Sequence, residues 1–253
     1  MNDFYKILKP FLLFVICFLT IGINIFAQDA TDEPPREKQV KNLYVKPIVR
    51  GFSLHVDIAS PFMGIAVNKN VRTLEFHADI NLFDKIFPII EGGFGSISAV
   101  MPNGSSFRTA APFFRLGLNY CLLNNTTKEG TPKIIRSYPF LGVRYGFSVI
   151  PYQIDNVHIT SGYWGEGETL NYHSAGAFGG WLEIVGGVRV DIKGGFTMGW
   201  NVRLKTLFHA PKDKTKLWFA PGYGLTENSA FGFNYTIGYT FRAKTHKVAK
   251  KTE

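Results

Sequence analysis

From Gly51 onward the chain alternates apolar and polar residues with a period of two, the pattern of a strand whose faces meet different surroundings. Leu54, Val56 and Ile58 alternate with Ser53, His55 and Asp57, and Leu74, Phe76, Ala78 and Ile80 with Glu75, His77 and Asp79. The same alternation runs over 88–95, 114–120, 141–148, 182–191, 196–205 and 231–242, which makes eight strands. Most are long enough to cross a bilayer at a tilt, which takes about 9–11 residues. The segment from Pro88 is the weakest, because proline donates no ladder hydrogen bond and belongs at a strand start. Connections alternate in length: Phe83–Lys85, 124–133 and Lys193–Gly194 are short, whereas 60–70, 97–106, 150–175 and 206–228 are longer. This asymmetry predicts an all-β fold: a closed, antiparallel, up-and-down transmembrane β-barrel of about eight strands over 51–243. A hairpin within 150–175 would raise the count to ten.

Alternation alone does not say which face points inward, and a soluble ligand-binding barrel would enclose its apolar face. Here the polar face is rich in Gly and carries balanced charge. Its acids are Asp57, Glu75, Asp79, Glu91, Glu183 and Asp191; its bases are Arg115, Arg144, Arg189, Arg203, Lys205 and Arg242. A water-facing surface scatters Lys and Glu, whereas a narrow lumen needs neutralised charge, since an unpaired buried ion costs several kcal/mol. Arginine's planar fork suits that role. Large aromatics also sit near strand ends on the apolar side. Phe52, Phe83, Phe87, Tyr120, Phe196 and Phe241 mark one boundary; Phe107, Phe147, Tyr152, Phe178 and Phe231 mark the other. Two such girdles are expected of a membrane barrel. The polar stripe is therefore predicted to form a lumen charge network.

The N-terminus supplies a route of export. Lys6 and Lys9 precede an apolar run from Phe11 to Phe26, and Ala27 is a small residue at a plausible cleavage point. Residues 1–27 read as a cleaved signal peptide, with a retained membrane anchor as the alternative; 28–50 read as a polar periplasmic linker and 244–253 as a basic periplasmic tail. Cleavage would remove Cys17 with Asp3, Lys6 and Lys9, leaving Cys121 as the single thiol and lowering the net charge from +9 to +8. These features place the chain in the bacterial outer membrane, where nucleic acid is no partner despite the high pI.

The stretches KPIVRGFSLHVDIASP, FPIIEGGFG, APFFRLGLNY and PFLGVRYGFS resemble an uncharacterised Bacteroidetes family of outer-membrane barrel proteins, defined only as a domain of unknown function. The resemblance spans roughly 45–243 and implies a location and a fold, with no activity to carry over. The last strand also resembles the signal read by the outer-membrane assembly machinery, through Asn234, Tyr239 and Phe241, although Thr236 stands where Gly is usual.

Candidate chemistry is sparse. If the first hairpin turns near residue 65, His55 lies opposite His77 and Asp57 opposite Glu75. His55, Asp57, His77 and Asp79 would then share the inward face as a candidate divalent-metal site or proton relay; the competing reading pairs them with arginines. His158 with Thr160, and His173 with Ser174, are the candidates for lipid-modifying nucleophilic catalysis, but spacing specifies no orienting acid. Tyr152, Tyr163, Trp164 and Tyr172, and Lys212, Lys214, Lys216, Trp218 and Phe219, are loop residues suited to glycans or lipopolysaccharide phosphates. No cofactor motif and no catalytic set emerges. The expected molecule is a non-enzymatic monomer with a structural or interaction role, its partners being outer-membrane lipids, lipopolysaccharide and the assembly machinery. A small channel, a lipid A-modifying enzyme and a soluble periplasmic carrier are the alternatives.

Overall fold

The computed structural model describes residues 44–45, 48–66, 69–123, 137–159, 168–211, 217–226, 229–243 and 246–247. All belong to one compact unit, Tyr44–Lys247. The export segment, most of the linker and most of the basic tail lie outside the described residues.

Eight strands make the wall: β1 (Val49–Asp57), β2 (Val71–Leu82), β3 (Ile86–Val100), β4 (Ser106–Cys121), β5 (Tyr138–Ile159), β6 (Glu168–Lys193), β7 (Phe196–His209) and β8 (Ala230–Arg242). Each pairs antiparallel with the next, and β8 returns to β1 from Thr236↔Asp57 to Arg242↔Gly51, so the barrel is closed. Below this seam Tyr44 and Val45 pair with Lys247 and His246. One helix, α1 (Ala59–Ala66), joins β1 to β2.

Turn chemistry fixes the hairpins at one end, the turn end. Phe83 and Asp84 have positive φ, and the Asn81 side chain accepts a hydrogen bond from the Asp84 N–H at 2.9 Å. Gly194 and Gly195, at φ 64° and 97°, close β6 onto β7, as a two-residue turn with both φ positive requires. The opposite, loop end carries α1 and the longer connections.

The loop end differs from the sequence expectation. Among the described residues, 150–159 and 168–175 form no extra hairpin; β5 and β6 simply run on, to 22 and 26 residues, and the barrel has eight strands. Nor is the strand with Pro88 weak: β3 is 15 residues long, and Pro88 stands third in it. The β2–β3 ladder passes from Asp79↔Ile89 to Leu82↔Ile86 without using that residue. Half of 97–106 is strand as well, as Ile97–Val100 and Ser106.

Side chains alternate across the wall. Arg115, Arg144, Arg189 and Arg203 are buried inside, while Leu116, Val143 and Ile184 point outward and are 51%, 59% and 63% exposed. The interior has three layers. Phe87, Cys121, Tyr138, Phe140 and Val185 form an apolar floor at the turn end. Charged residues fill the middle. At the loop end Phe107, Phe113, Ile150, Tyr152 and Trp181 pack with Leu217, Phe219, Ala220 and Tyr223 as an apolar cap. Phe87, Phe107 and Tyr152 thus leave the predicted girdles: they sit on the inward parity of their strands and close the ends of the interior. Phe52, Phe83, Tyr120, Phe178, Phe196, Phe231 and Phe241 remain outward and exposed.

The cap is a plug contributed by the 206–228 connection. Phe219–Ala220 pairs with Gly224–Leu225 as a small hairpin. Gly222, at φ 82°, rests on the Phe113 ring, where an added Cβ would come within 2.5 Å. The Tyr223 ring meets Trp181 edge-on at 5.9 Å, and burial raises the pKa of its phenol. Phe219, expected on an accessible loop, is buried, and Trp218 packs on Phe107 at 5.1 Å. Both pack on the apolar cap, Phe219 buried and Trp218 in part.

Candidate functional site: the charge layer inside the barrel

Glu91, in the middle of β3, is the hub. Its carboxylate lies 2.7 Å from Arg144 Nε, 2.6 Å from Arg203 Nη1 and 3.3 Å from Arg115 Nη1. Arg115 also donates to both oxygens of Glu75, at 2.9 and 3.3 Å, and its Nε lies 2.8 Å from Glu183. Arg203 reaches Glu183 at 3.2 Å and takes Asn201 as a third partner. The Trp181 indole N–H donates to Glu183 at 2.7 Å. That ring lies across Gly146, where a Cβ would come within 2.3 Å of it; glycine on the inward face is what lets a large side chain cross the narrow interior.

A second group sits nearer the turn end. Arg189 grips Asp79 with two hydrogen bonds, 2.9 and 2.7 Å, and donates a third to the Tyr138 hydroxyl at 3.1 Å. Two-point contact of this kind is the strongest form of the pair. Asp191 pairs with Arg242 at the barrel's turn-end rim, where Arg242 is partly exposed.

Two of the expected charges are satisfied without an ion pair. Asp57 accepts from the Ala59 and Ser60 N–H groups, which start α1, and from Asn234 Nδ2 and the Tyr235 N–H on β8. Lys205 donates to the Gly222 carbonyl at 2.7 Å, the same oxygen that Arg115 Nη2 reaches at 2.8 Å. The plug is therefore tied to the charge layer through a backbone carbonyl. Sequence gave no signal for that contact, nor for Asn201 and Asn234 beyond their polar position on inward parity.

The buried set balances: Asp57, Glu75, Asp79, Glu91 and Glu183 against Arg115, Arg144, Arg189, Arg203 and Lys205. One space left within this layer is small. A cavity of about 10 Å³ beside His77, Asn119, Arg144 and Asn201 has room for about one water.

His55 does face His77 across the β1–β2 ladder. The four-residue metal candidate nonetheless comes apart. His55 is bonded to Thr197 at 2.9 Å, Asp57 is occupied by β8 and α1, and Asp79 is held by Arg189. Only His77 stays among potential ligands, grouped with Glu75 and Glu91 so that one donor atom from each lies within 4.8 Å of the others. Those carboxylates are already neutralised by Arg115, Arg144 and Arg203. A divalent ion would have to displace guanidinium groups that have nowhere else to go, so the donor set does not fit one.

The described candidate histidines have other neighbours than the residues expected to pair with them. His158 Nδ1 lies 3.0 Å from Thr169 Oγ1, and His173 Nε2 lies 3.7 Å from Asp155, both on the exposed extensions of β5 and β6. Thr160, Tyr163, Trp164, Lys212, Lys214 and Lys216 lie outside the described residues.

A sequence-family profile, that of a domain of unknown function (DUF6048), matches residues 7–244. No curated protein gives a significant match to the chain, and no solved structure does.

Proposed function

The chain belongs to the DUF6048 family, a domain of unknown function, and we propose that it is a sealed outer-membrane barrel acting as a structural or interaction protein through its loop end. The single observation that carries this reading is the inverted distribution of polarity. Arginines and carboxylates are enclosed, while large apolar side chains such as Leu116, Val143, Ile184 and Phe94 cover the outside. A chain in water does not leave so wide an apolar surface uncovered. Acyl chains cover it at no desolvation cost, and a closed barrel leaves no backbone edge unpaired in hydrocarbon. The amino-terminal export pattern supports the same location, with the turn end facing the periplasm and the loop end facing out.

The soluble-carrier reading calls for an apolar interior, which this barrel has only at its two ends. The channel reading calls for a continuous aqueous path through the layer around Glu91. The sealed-barrel reading predicts membrane-fraction protein that migrates faster on a gel unheated than boiled, and refolded protein that gives no current steps in planar bilayers. A detergent-free soluble pool without heat-dependent migration would overturn the membrane location, and discrete steps would overturn the seal. Orientation has its own test. Val143→Arg, on the outward mid-wall of β5, is expected to lower folding stability in lipid by roughly 2–4 kcal/mol. In a barrel standing in water the same change would be nearly neutral, as a urea titration of the refolded protein will distinguish.

A further inference from the structure

At the loop end the outward face of β2–β6 changes from apolar to polar, with Arg72 on β2 and Arg108 on β4 as its cations. Leu74, Phe94 and Pro112 are cross-strand neighbours on the outward face. One pleat higher stand Arg72, Ser96 and Ala110, and beyond them the row Ser98, Arg108, Gln153 and His173. An open cleft of about 610 Å³ lies along these rows, lined by Lys69, Arg72 and Arg108 and by no Asp or Glu. Among the described residues no carboxylate pairs with any of the three. That contrasts with the outward Arg50, which is matched to Asp84 at 3.6 Å.

The cleft shares Lys69, Arg72 and Ser96 with a second groove of about 630 Å³, lined by Pro61, Ile65, Leu74 and Phe94. The upper wall of this groove is α1, whose sequence ASPFMGIA carries no charge and leaves Phe62 and Ile65 66% and 75% exposed. An apolar groove thus runs directly into one whose three cations have no carboxylate partner among the described residues, beside the His173–Asp155 pair. Their common occupant must be an amphiphile with an anionic head.

The width narrows the choice. Adjacent strands are about 4.8 Å apart, so Arg72 on β2 and Arg108 on β4 are separated by about 10 Å across the sheet. That is too broad for a single phosphate. It suits a head with two anionic ends, with Ser98 between the arginines and Gln153 beside Arg108 to supply hydrogen bonds. Arg72 and Arg108 can each take a phosphate with two parallel N–H donors, and Lys69 adds a point charge.

We infer that the loop-end face of β2–β6, together with α1, binds a phosphorylated, multiply acylated saccharide lipid: phosphates on Lys69, Arg72 and Arg108, acyl chains along Leu74, Phe94 and the groove beneath α1. This inference rests on the barrel spanning the outer membrane with its loop end outward. The site differs from the loop residues singled out from sequence, since it is built on strand positions of the rigid wall.

The test uses the full chain refolded in neutral detergent and measures retained lipid by native mass spectrometry. The probes are a bisphosphorylated, multiply acylated glucosamine disaccharide, its dephosphorylated form, and phosphatidylglycerol. A one-to-one adduct with the first probe is expected. Its affinity should fall about tenfold or more on dephosphorylation and in the Arg72→Gln/Arg108→Gln double variant, each lost charge-assisted contact being of that size. Both arginines are exposed, so the variant should keep its heat-dependent migration. Equal retention of phosphatidylglycerol, or undiminished binding by the double variant, overturns the site while leaving the membrane reading intact. Protein that is soluble without detergent and lacks the migration shift overturns both.

Discussion

Glu91→Gln is expected to destabilise the barrel by roughly 3–5 kcal/mol, the loss found when one partner of a buried ion pair is removed. The substitution keeps shape and most hydrogen-bonding capacity, so the effect isolates charge. Arg144, Arg203 and Arg115 all converge on this carboxylate within 3.3 Å. Without it, the surviving carboxylates Glu75 and Glu183 face the same arginines and the interior gains a net positive charge that cannot reach water. An exposed pair lost in the same way would cost only about 0–1 kcal/mol. The measurement is the urea midpoint of refolded protein in micelles. Adding Arg144→Gln should restore neutrality and recover part of the loss. A double-mutant coupling of about 1 kcal/mol or more, of opposite sign to the single effects, marks the pair as interacting. Additive losses would mean that Glu91 is held by shape alone.

The second large effect concerns the plug. Gly222→Val is expected to expel residues 217–226 from the barrel mouth and to lower stability by roughly 2–5 kcal/mol, summing left-handed backbone strain and overpacking. Gly222 has φ 82°, and a Cβ there would press on the Phe113 ring at 2.5 Å. Its carbonyl also serves Arg115 and Lys205, so displacement strands two cations at once. Limited proteolysis reads the outcome: wild-type protein should resist cleavage between Leu217 and Thr226, and the variant should be cut there. Equal resistance would show that the mouth tolerates a side chain at this turn.

Period-two alternation carried most of the wall, because every strand separates two environments and parity alone then assigns each residue. It failed where that contrast fades. At the loop end, β5 and β6 extend past Ile150 and Ala177 into mixed composition, and the pattern reads as a loop. The girdle pattern points Phe87, Phe107 and Tyr152 outward, although parity with Glu91, Arg115 and Arg144 directs them inward. The floor and cap need apolar bulk just where the charge layer ends. The His55↔His77 register was legible from the hairpin alone. Which groups claim those neighbours was not: Arg189 reaches Asp79 from 110 positions away, and Asn234 reaches Asp57 from 177. The plug was hidden for a related reason, since its tie to the wall is a main-chain oxygen that no side-chain pattern announces.

The spacing of those partners along the chain bears on how such a barrel would enter a bilayer. Glu91 meets Arg115 from 24 residues away, Arg144 from 53 and Arg203 from 112. A lone β3–β4 hairpin handed to lipid would carry Glu91 with one of its three counter-ions, and Asp57 would wait for β8. Piecemeal insertion would therefore drag naked ions through oil. On the proposed membrane location, the cheaper route would be for the strands to gather in a sheltered, hydrated cradle and cross together once the ring has shut, which would make insertion a single concerted event rather than a sequence of hairpins.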